Sequence, residues 1–233
     1  MAGKLFCVGV GPGDHEYLTL KAKRVIDNAM VVAAPAAKSG ERSVALEIVK
    51  KAVDMSGKEI LELSFSMSPN EDIRKQERIL ASEKIKEILD GGRDVVMITL
   101  GDVSIYSTCS YITNILINDG YSVSTVAGVP SFSAAAACAD IRLCEGDETL
   151  AVIPAVKGTE QLNKILDLFD NVVIMKAGKK MNEIYECLKN RGLEDRALVA
   201  SEVGRENGFI VPISDRKETG YFTTVIIIKN GLR

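Results

Sequence analysis

Three short loops carry residue types from which a small-ligand site could be built. The first is Gly9-Val10-Gly11-Pro12-Gly13-Asp14. The second is Leu100-Gly101-Asp102, continued by Ser104-Ile105-Tyr106-Ser107-Thr108, and the third is Gly128-Val129-Pro130-Ser131. Each follows a short apolar run and leads towards a helical pattern, the place where open α/β sheets hold their ligands. Glycine there lets backbone approach a ligand, or simply lets a tight turn adopt φ > 0. A dinucleotide turn fits the first loop badly. Its spacing is G-x-G-x-G, Asp14 would repel a pyrophosphate, and the next apolar run ends in Ala33-Ala34-Pro35 with no acid for a ribose. Asp102 either accepts hydrogen bonds from a ribose or amino group or caps the helix that follows. The tiny residues after Ser131 admit either a packed helix or a flat ligand.

The remaining reactive types form no constellation. Cys7, Cys109, Cys138, Cys144 and Cys187 are scattered, odd in number and without a C-x-x-C pair, and His15 is the single histidine. No protein-bound metal is expected from such a set. Cys7, Cys109 and Cys138 read as buried thiols, and His15, beside Asp14, as a capping or exposed residue at a helix start. Lys38, Arg42, Lys157, Lys179, Lys180 and Arg205 fall in loops or helix starts near the motifs. Each is ordinarily a solvated charge, yet together they could line a bay for an acidic small molecule.

The elements that must position these loops alternate. Apolar runs at Leu5–Val10, Met30–Ala34, Ile60–Leu63, Val95–Leu100 and Tyr121–Val126 read as strands, the second of them stopped by Pro35. Between them lie helical patterns. One starts at Ser68, with Pro69 in its first turn and Glu71 completing a capping box. Another spans Ile105 to Asn118. Alternation of this kind implies a largely parallel sheet. Ala127-Gly128-Val129-Pro130 interrupts it and marks the expected domain join, giving residues 1–127 and 128–233. In the second part, strands near 149–153, 172–175, 197–202, 208–211 and 221–228 leave little room for helices at the end, so a mixed sheet is expected. The fold class is α/β.

The totals exclude some functions. With 29 basic and 32 acidic residues among 233, the net charge of −3 argues against a general nucleic-acid binder. No apolar run approaches the ~20 residues that span a bilayer, and no secretory pattern opens the chain. The expectation is a cytoplasmic protein without membrane or nucleic-acid partners.

Taken in order, G-V-G-P-G-D, L-G-D, G-V-P-S, Met175-Lys176-Ala177-Gly178 and Tyr221-Phe222-Thr223-Thr224 resemble the tetrapyrrole (corrin/porphyrin) methylase family. The resemblance covers essentially the whole chain. It implies two α/β domains with an S-adenosylmethionine cleft between them, usually in a homodimer. Carried over by position, it implies donor contacts from Pro12, from Leu100, Gly101, Asp102 and Ile105, and from Pro130 and Ser131. Met175, Lys176 and Gly204 complete the implied set. Leu100 and Val103 stand where the family's common G-G-D-P has glycine and proline. L-G-D with Tyr106-Ser107-Thr108 resembles the branch that methylates C-20 of precorrin-2 or cobalt-factor II. Phe65-Ser66-Met67 resembles that branch's F-P-M, with serine in place of proline. The implied activity is S-adenosylmethionine-dependent C-methylation of a tetrapyrrole in cobalamin biosynthesis, with Tyr106 or Glu202 as candidates to take the departing proton. Another corrin position, a diphthine precursor, or a non-catalytic binding module remain as alternatives.

Overall fold

Leu5 and Cys7 point to one side of the first strand, Phe6 and Val8 to the other, and apolar side chains cover both. A strand buried on two faces needs helices on both, which is the parallel α/β solution. The computed structural model shows it, describing residues 2–36, 42–66, 68–155 and 158–232. The chain divides into two units, Met1–Pro130 and Ser131–Arg233.

In the first unit β1 (Lys4–Gly9), β2 (Val31–Ala36), β3 (Glu59–Ser64), β4 (Val95–Thr99) and β5 (Ser122–Val126) form one sheet. Its order is β3-β2-β4-β1-β5, with every pairing parallel. Helices α1 (Leu20–Asp27) and α2 (Val44–Ala52) cover one face, through Ala22, Ile26, Leu46 and Val49. Helices α3 (Glu71–Asp90) and α4 (Cys109–Asn118) cover the other, through Ile85, Leu89, Ile112 and Leu116. Gly9 stands opposite Thr99 and Val8 opposite Val126. The carboxyl ends of three adjacent strands therefore finish level, and all three motif loops leave from one sheet edge.

Three local expectations are corrected. Pro35 does not stop β2, which runs on to Ala36. Pairing with β4 ends at Ala33, so Pro35 lies where that side of β2 has no ladder to break. The helix expected from Ile105 begins only at Cys109, because Asp102 and Ser104 close a turn and Tyr106 takes φ 49°. The cap of α3 is Asn70, whose side chain accepts from the Asp72 amide at 2.9 Å. Ser68 instead accepts from the Asn70 amide at 3.2 Å, Pro69 precedes the helix, and Glu71 pairs with Arg74 and Arg78. Asn70→Ala is accordingly expected to cost about 1 kcal/mol and Ser68→Ala clearly less, read from urea unfolding midpoints. The reverse ranking would restore Ser68 as the cap.

The second unit holds α5 (Ser131–Cys138), β6 (Leu150–Pro154), α6 (Thr159–Leu168), β7 (Asn171–Met175) and α7 (Met181–Lys189). It ends with β8 (Ala197–Ser201), β9 (Phe209–Pro212) and β10 (Thr223–Ile228). The sheet order is β6-β7-β10-β8-β9. Only β6 and β7 run parallel; β10 is antiparallel to β7 and β8, and β8 to β9. Leu162, Leu166, Ile184 and Leu188 of α6 and α7 bury against Val172, Ile174, Val199 and Val225. Antiparallel β10 brings its first residue, Thr223, to the edge where β7 and β8 end. That edge carries the candidates of this half.

Candidate functional site

In the first unit the motif loops are tied by backbone. Gly11 and Gly101 exchange two hydrogen bonds, at 3.2 and 2.8 Å. Gly128 lies flat against this pair of loops: a Cβ there would stand 2.2 Å from the Gly101 carbonyl oxygen and 2.8 Å from Gly9 Cα. Gly101 is different. It holds φ +70°, and a Cβ on it would meet nothing nearer than the Val129 carbonyl oxygen at 4.0 Å. Open space over a bare backbone is what a ligand-approach loop needs.

Asp102 is 8% exposed, and both its carboxylate oxygens accept hydrogen bonds. One carboxylate oxygen accepts from the Ser104 amide at 2.8 Å and from the Ser104 hydroxyl, the other from the Gly128 amide at 2.7 Å. Burial works to raise its pKa, but these bonds outweigh it and hold the carboxyl below its usual value. It caps no helix. The family-pattern departures also have places: Leu100 packs partly buried under α1 and α2, and Val103 against the α3–α4 core. Pro12 is buried, while Ile105 and Pro130 are half-buried.

Behind the second loop, Thr99 and Ser107 share a hydrogen bond at 3.0 Å, and Ser107 accepts from the Cys109 amide at 3.1 Å. Cys7 lies against Cys109, and this contact together with burial pushes the Cys109 thiol well up. Cys7, Cys109 and Cys187 are buried; Cys138, expected inside, is exposed at the end of α5. The buried residues of α5 are instead Ala134, Ala135 and Ala136.

In the second unit, Met175 ends β7 and Lys176 follows at φ 58°, while Glu202 follows β8 at φ 50° and Gly204 at φ 78°. The Lys176 amine lies 5.5 Å from the Tyr221 ring, and Arg205 pairs with Glu202 at 3.1 Å and sits 5.7 Å from the Phe222 ring. Ser201 and Thr223 share a buried hydroxyl bond at 3.0 Å. Ser131 opens α5. Four non-glycine residues among those described hold positive φ, and three of them are Tyr106, Lys176 and Glu202. Strain of this kind collects at functional loops. Tyr106 and Glu202 are the two proton-acceptor candidates, and Lys176 is one of the contacts that the family resemblance implies.

Sequence reasoning passed over Gly128, Ser104, Tyr221 and Phe222 as individual site residues. Gly128 carried only a local signal: like Gly101, it is a glycine at the end of an apolar run. The pairing of Asp102 with Gly128, 26 positions apart, had none. Ser66, the departure from F-P-M, donates its amide and its hydroxyl to Glu77 at 2.8 and 2.9 Å. A proline could make neither bond.

Of the cations, Lys38 and Lys157 lie outside the described residues, as does Met67. Arg42 borders a pocket of about 140 Å³ shared with Ser43, Glu47, Lys50 and Glu62. Two acids offset two bases there. Lys180 pairs with Glu183 at 2.6 Å, Lys179 is exposed, and Arg205 is held by Glu202. His15 sits 3.3 Å from Asp14 at a short turn that Asp14 caps. Among the described residues, no group of three or more His, Cys, Asp or Glu could hold a metal ion, and no helix is long and apolar enough to cross a membrane.

A sequence profile of the tetrapyrrole (corrin/porphyrin) methylases matches residues 4–215. The chain belongs to this family. A probable cobalt-precorrin-2 C(20)-methyltransferase of Methanocaldococcus jannaschii is 42% identical over 206 residues, 85% of each chain. The cobalt-precorrin-2 C(20)-methyltransferase of Salmonella typhimurium is 28% identical over 235 residues, 98% of each. Uroporphyrin-III C-methyl transferase from Thermus thermophilus, complexed with S-adenyl homocysteine, shares the fold with a TM-score of 0.69 at 18% identity. That match covers 96% of this chain and 97% of the other.

Proposed function

We propose that this methylase transfers the methyl group of S-adenosylmethionine to C-20 of precorrin-2 or cobalt-factor II, in cobalamin biosynthesis. The observation that carries the reading is the 42% identity, over 85% of both chains, to a relative bearing that activity in its name. The geometry fits it. Methyl transfer from a sulfonium is an in-line displacement, so the protein's task is to hold reacting atoms ~3–3.5 Å apart rather than to supply a nucleophile.

In this reading Pro12, Leu100, Gly101, Asp102, Ile105 and Pro130 are the candidate donor contacts of the first unit. Ser131, Met175, Lys176 and Gly204 are the candidate donor contacts of the second. The bare backbone of Gly101 gives the donor close approach. Tyr106, 44% exposed in the L-G-D loop, is the candidate to take the proton that C-20 releases. Glu202 is committed to Arg205, which suits an anchor of its turn better than a base. The enzyme is read as a cytoplasmic homodimer, a state that light scattering on the purified chain tests.

S-adenosylhomocysteine at 100 times its Kd should stabilise the fold by ~2.7 kcal/mol, and NAD should not. Anaerobic turnover with precorrin-2 and with its cobalt form, followed by NMR of the product, should place the new methyl at C-20. A methyl on another ring carbon would refute the assignment.

A further inference from the structure

Tyr106, the candidate to take the proton from C-20, is 44% exposed. A side chain so open to solvent keeps one direction only if its backbone does, because φ sets where the Cα–Cβ bond points. That backbone stands at φ 49°, a left-handed conformation that an aromatic residue adopts only when its surroundings impose it.

The next residue, Ser107, is 7% exposed and bonded three ways. Its hydroxyl accepts from the Cys109 amide at 3.1 Å, and its carbonyl accepts from the Ser110 hydroxyl at 2.7 Å. These two bonds tie Ser107 to the first turn of α4, where Thr108 in the cap position makes no side-chain bond. The start of the helix asks for nothing more. The third bond does something else. It joins the Ser107 hydroxyl to the Thr99 hydroxyl at 3.0 Å, back to the last residue of β4, and both hydroxyl-bearing residues are buried. The loop carrying L-G-D and Tyr106 is thereby shut at its root. On the other side of Tyr106, the Asp102 carboxylate closes its turn by accepting from the Ser104 amide at 2.8 Å. The strained residue lies between two fixed points.

We propose that the Thr99–Ser107 hydroxyl pair is a positioning device, which clamps the root of this loop and holds Tyr106 at positive φ so that its phenol stays aimed at the substrate. The proposal rests on the reading of Tyr106 as the proton acceptor in C-20 methylation. Both hydroxyls act through Tyr106, so their removal should slow turnover without weakening binding.

The test takes the full chain through anaerobic turnover with precorrin-2 and through calorimetry with S-adenosylhomocysteine. Ser107→Ala and Thr99→Val should each lower kcat by about 10-fold or more, since small misplacements of a reacting group are costly. KM and the Kd for S-adenosylhomocysteine should stay within about threefold of wild type. Tyr106→Phe should lower kcat by about 100-fold or more. Adding Ser107→Ala to Tyr106→Phe should then cost less than about twofold further, because no phenol is left to aim.

The same Ser107→Ala penalty in both backgrounds, or a loss of affinity matching the loss of kcat, would make the pair ordinary loop packing and overturn the proposal. A wild-type rate in Tyr106→Phe would overturn it too. Should Ser107→Ala fail to fold, Thr99→Val, which keeps the branched shape of its side chain, carries the comparison in both backgrounds. Wild type leaving precorrin-2 and its cobalt form unmethylated would defeat the C-20 reading, and the clamp with it; wild-type turnover with additive penalties defeats the clamp alone.

Discussion

Gly128→Ala is expected to destabilise the protein by about 3 kcal/mol, lower its thermal midpoint by roughly 10 °C, and impair binding of S-adenosylhomocysteine. The new methyl would lie 2.2 Å from the Gly101 carbonyl oxygen, 2.7 Å from Gly9 carbonyl carbon and 2.8 Å from Gly9 Cα. All three are backbone atoms, and none is the loose end of a side chain. Relief would require moving either the end of the central strand β1 or the L-G-D loop. Moving the first breaks pairing with β4 and β5; moving the second displaces Gly101 from Gly11. Gly220→Ala is the control, since a Cβ there meets nothing within 4 Å, and it should melt with the wild type. Differential scanning calorimetry of both variants decides the matter. A Gly128→Ala protein melting within a degree or two of wild type would mean that the three loops are not in the contact described.

The strands that carry these loops were legible because strand periodicity is local. Leu5–Val10, Val95–Leu100 and Tyr121–Val126 are short apolar runs whose type can be read from their own residues, and each ends at a glycine loop. What could not be read was which strand lies beside which. The order β4-β1-β5 depends on long-range pairing, and only that order places Gly9, Gly101 and Gly128 in contact. The errors have the same origin. Ser68 fits a capping box as well as Asn70 fits a cap, and the choice between them depends on how the chain leaves β3. Helical spacing from Ile105 was real, but the turn closed by Asp102 and Ser104 competes with it and wins for four residues. Cys138 looked like its apolar neighbours, although it is the last residue of α5 and is exposed there. Asp102 shows the limit best. Its capacity to accept hydrogen bonds was plain from its type, while its partner 26 positions away was invisible without the sheet.

Gly101→Val separates the donor site from mere backbone geometry, provided a second glycine carries the same strain. At φ +70° any Cβ is disfavoured, and a β-branched side chain adds its own restriction, so folding should lose about 1–2 kcal/mol. Gly57 provides the comparison. It holds φ +73° in the turn before β3, and a Cβ there also meets nothing within 4 Å. Gly57→Val should therefore cost a similar amount of stability and leave affinity for S-adenosylhomocysteine unchanged. Gly101→Val should lose at least about 100-fold in affinity, because its two methyl groups would project into the space left open over the loop. Stability from urea unfolding and affinity from calorimetry must be taken on the same preparations. Equal loss of stability with unequal loss of affinity assigns the space above Gly101 to the ligand. Normal affinity in Gly101→Val would remove the L-G-D loop from the donor site, and family membership would then have to be reconciled with a donor held elsewhere.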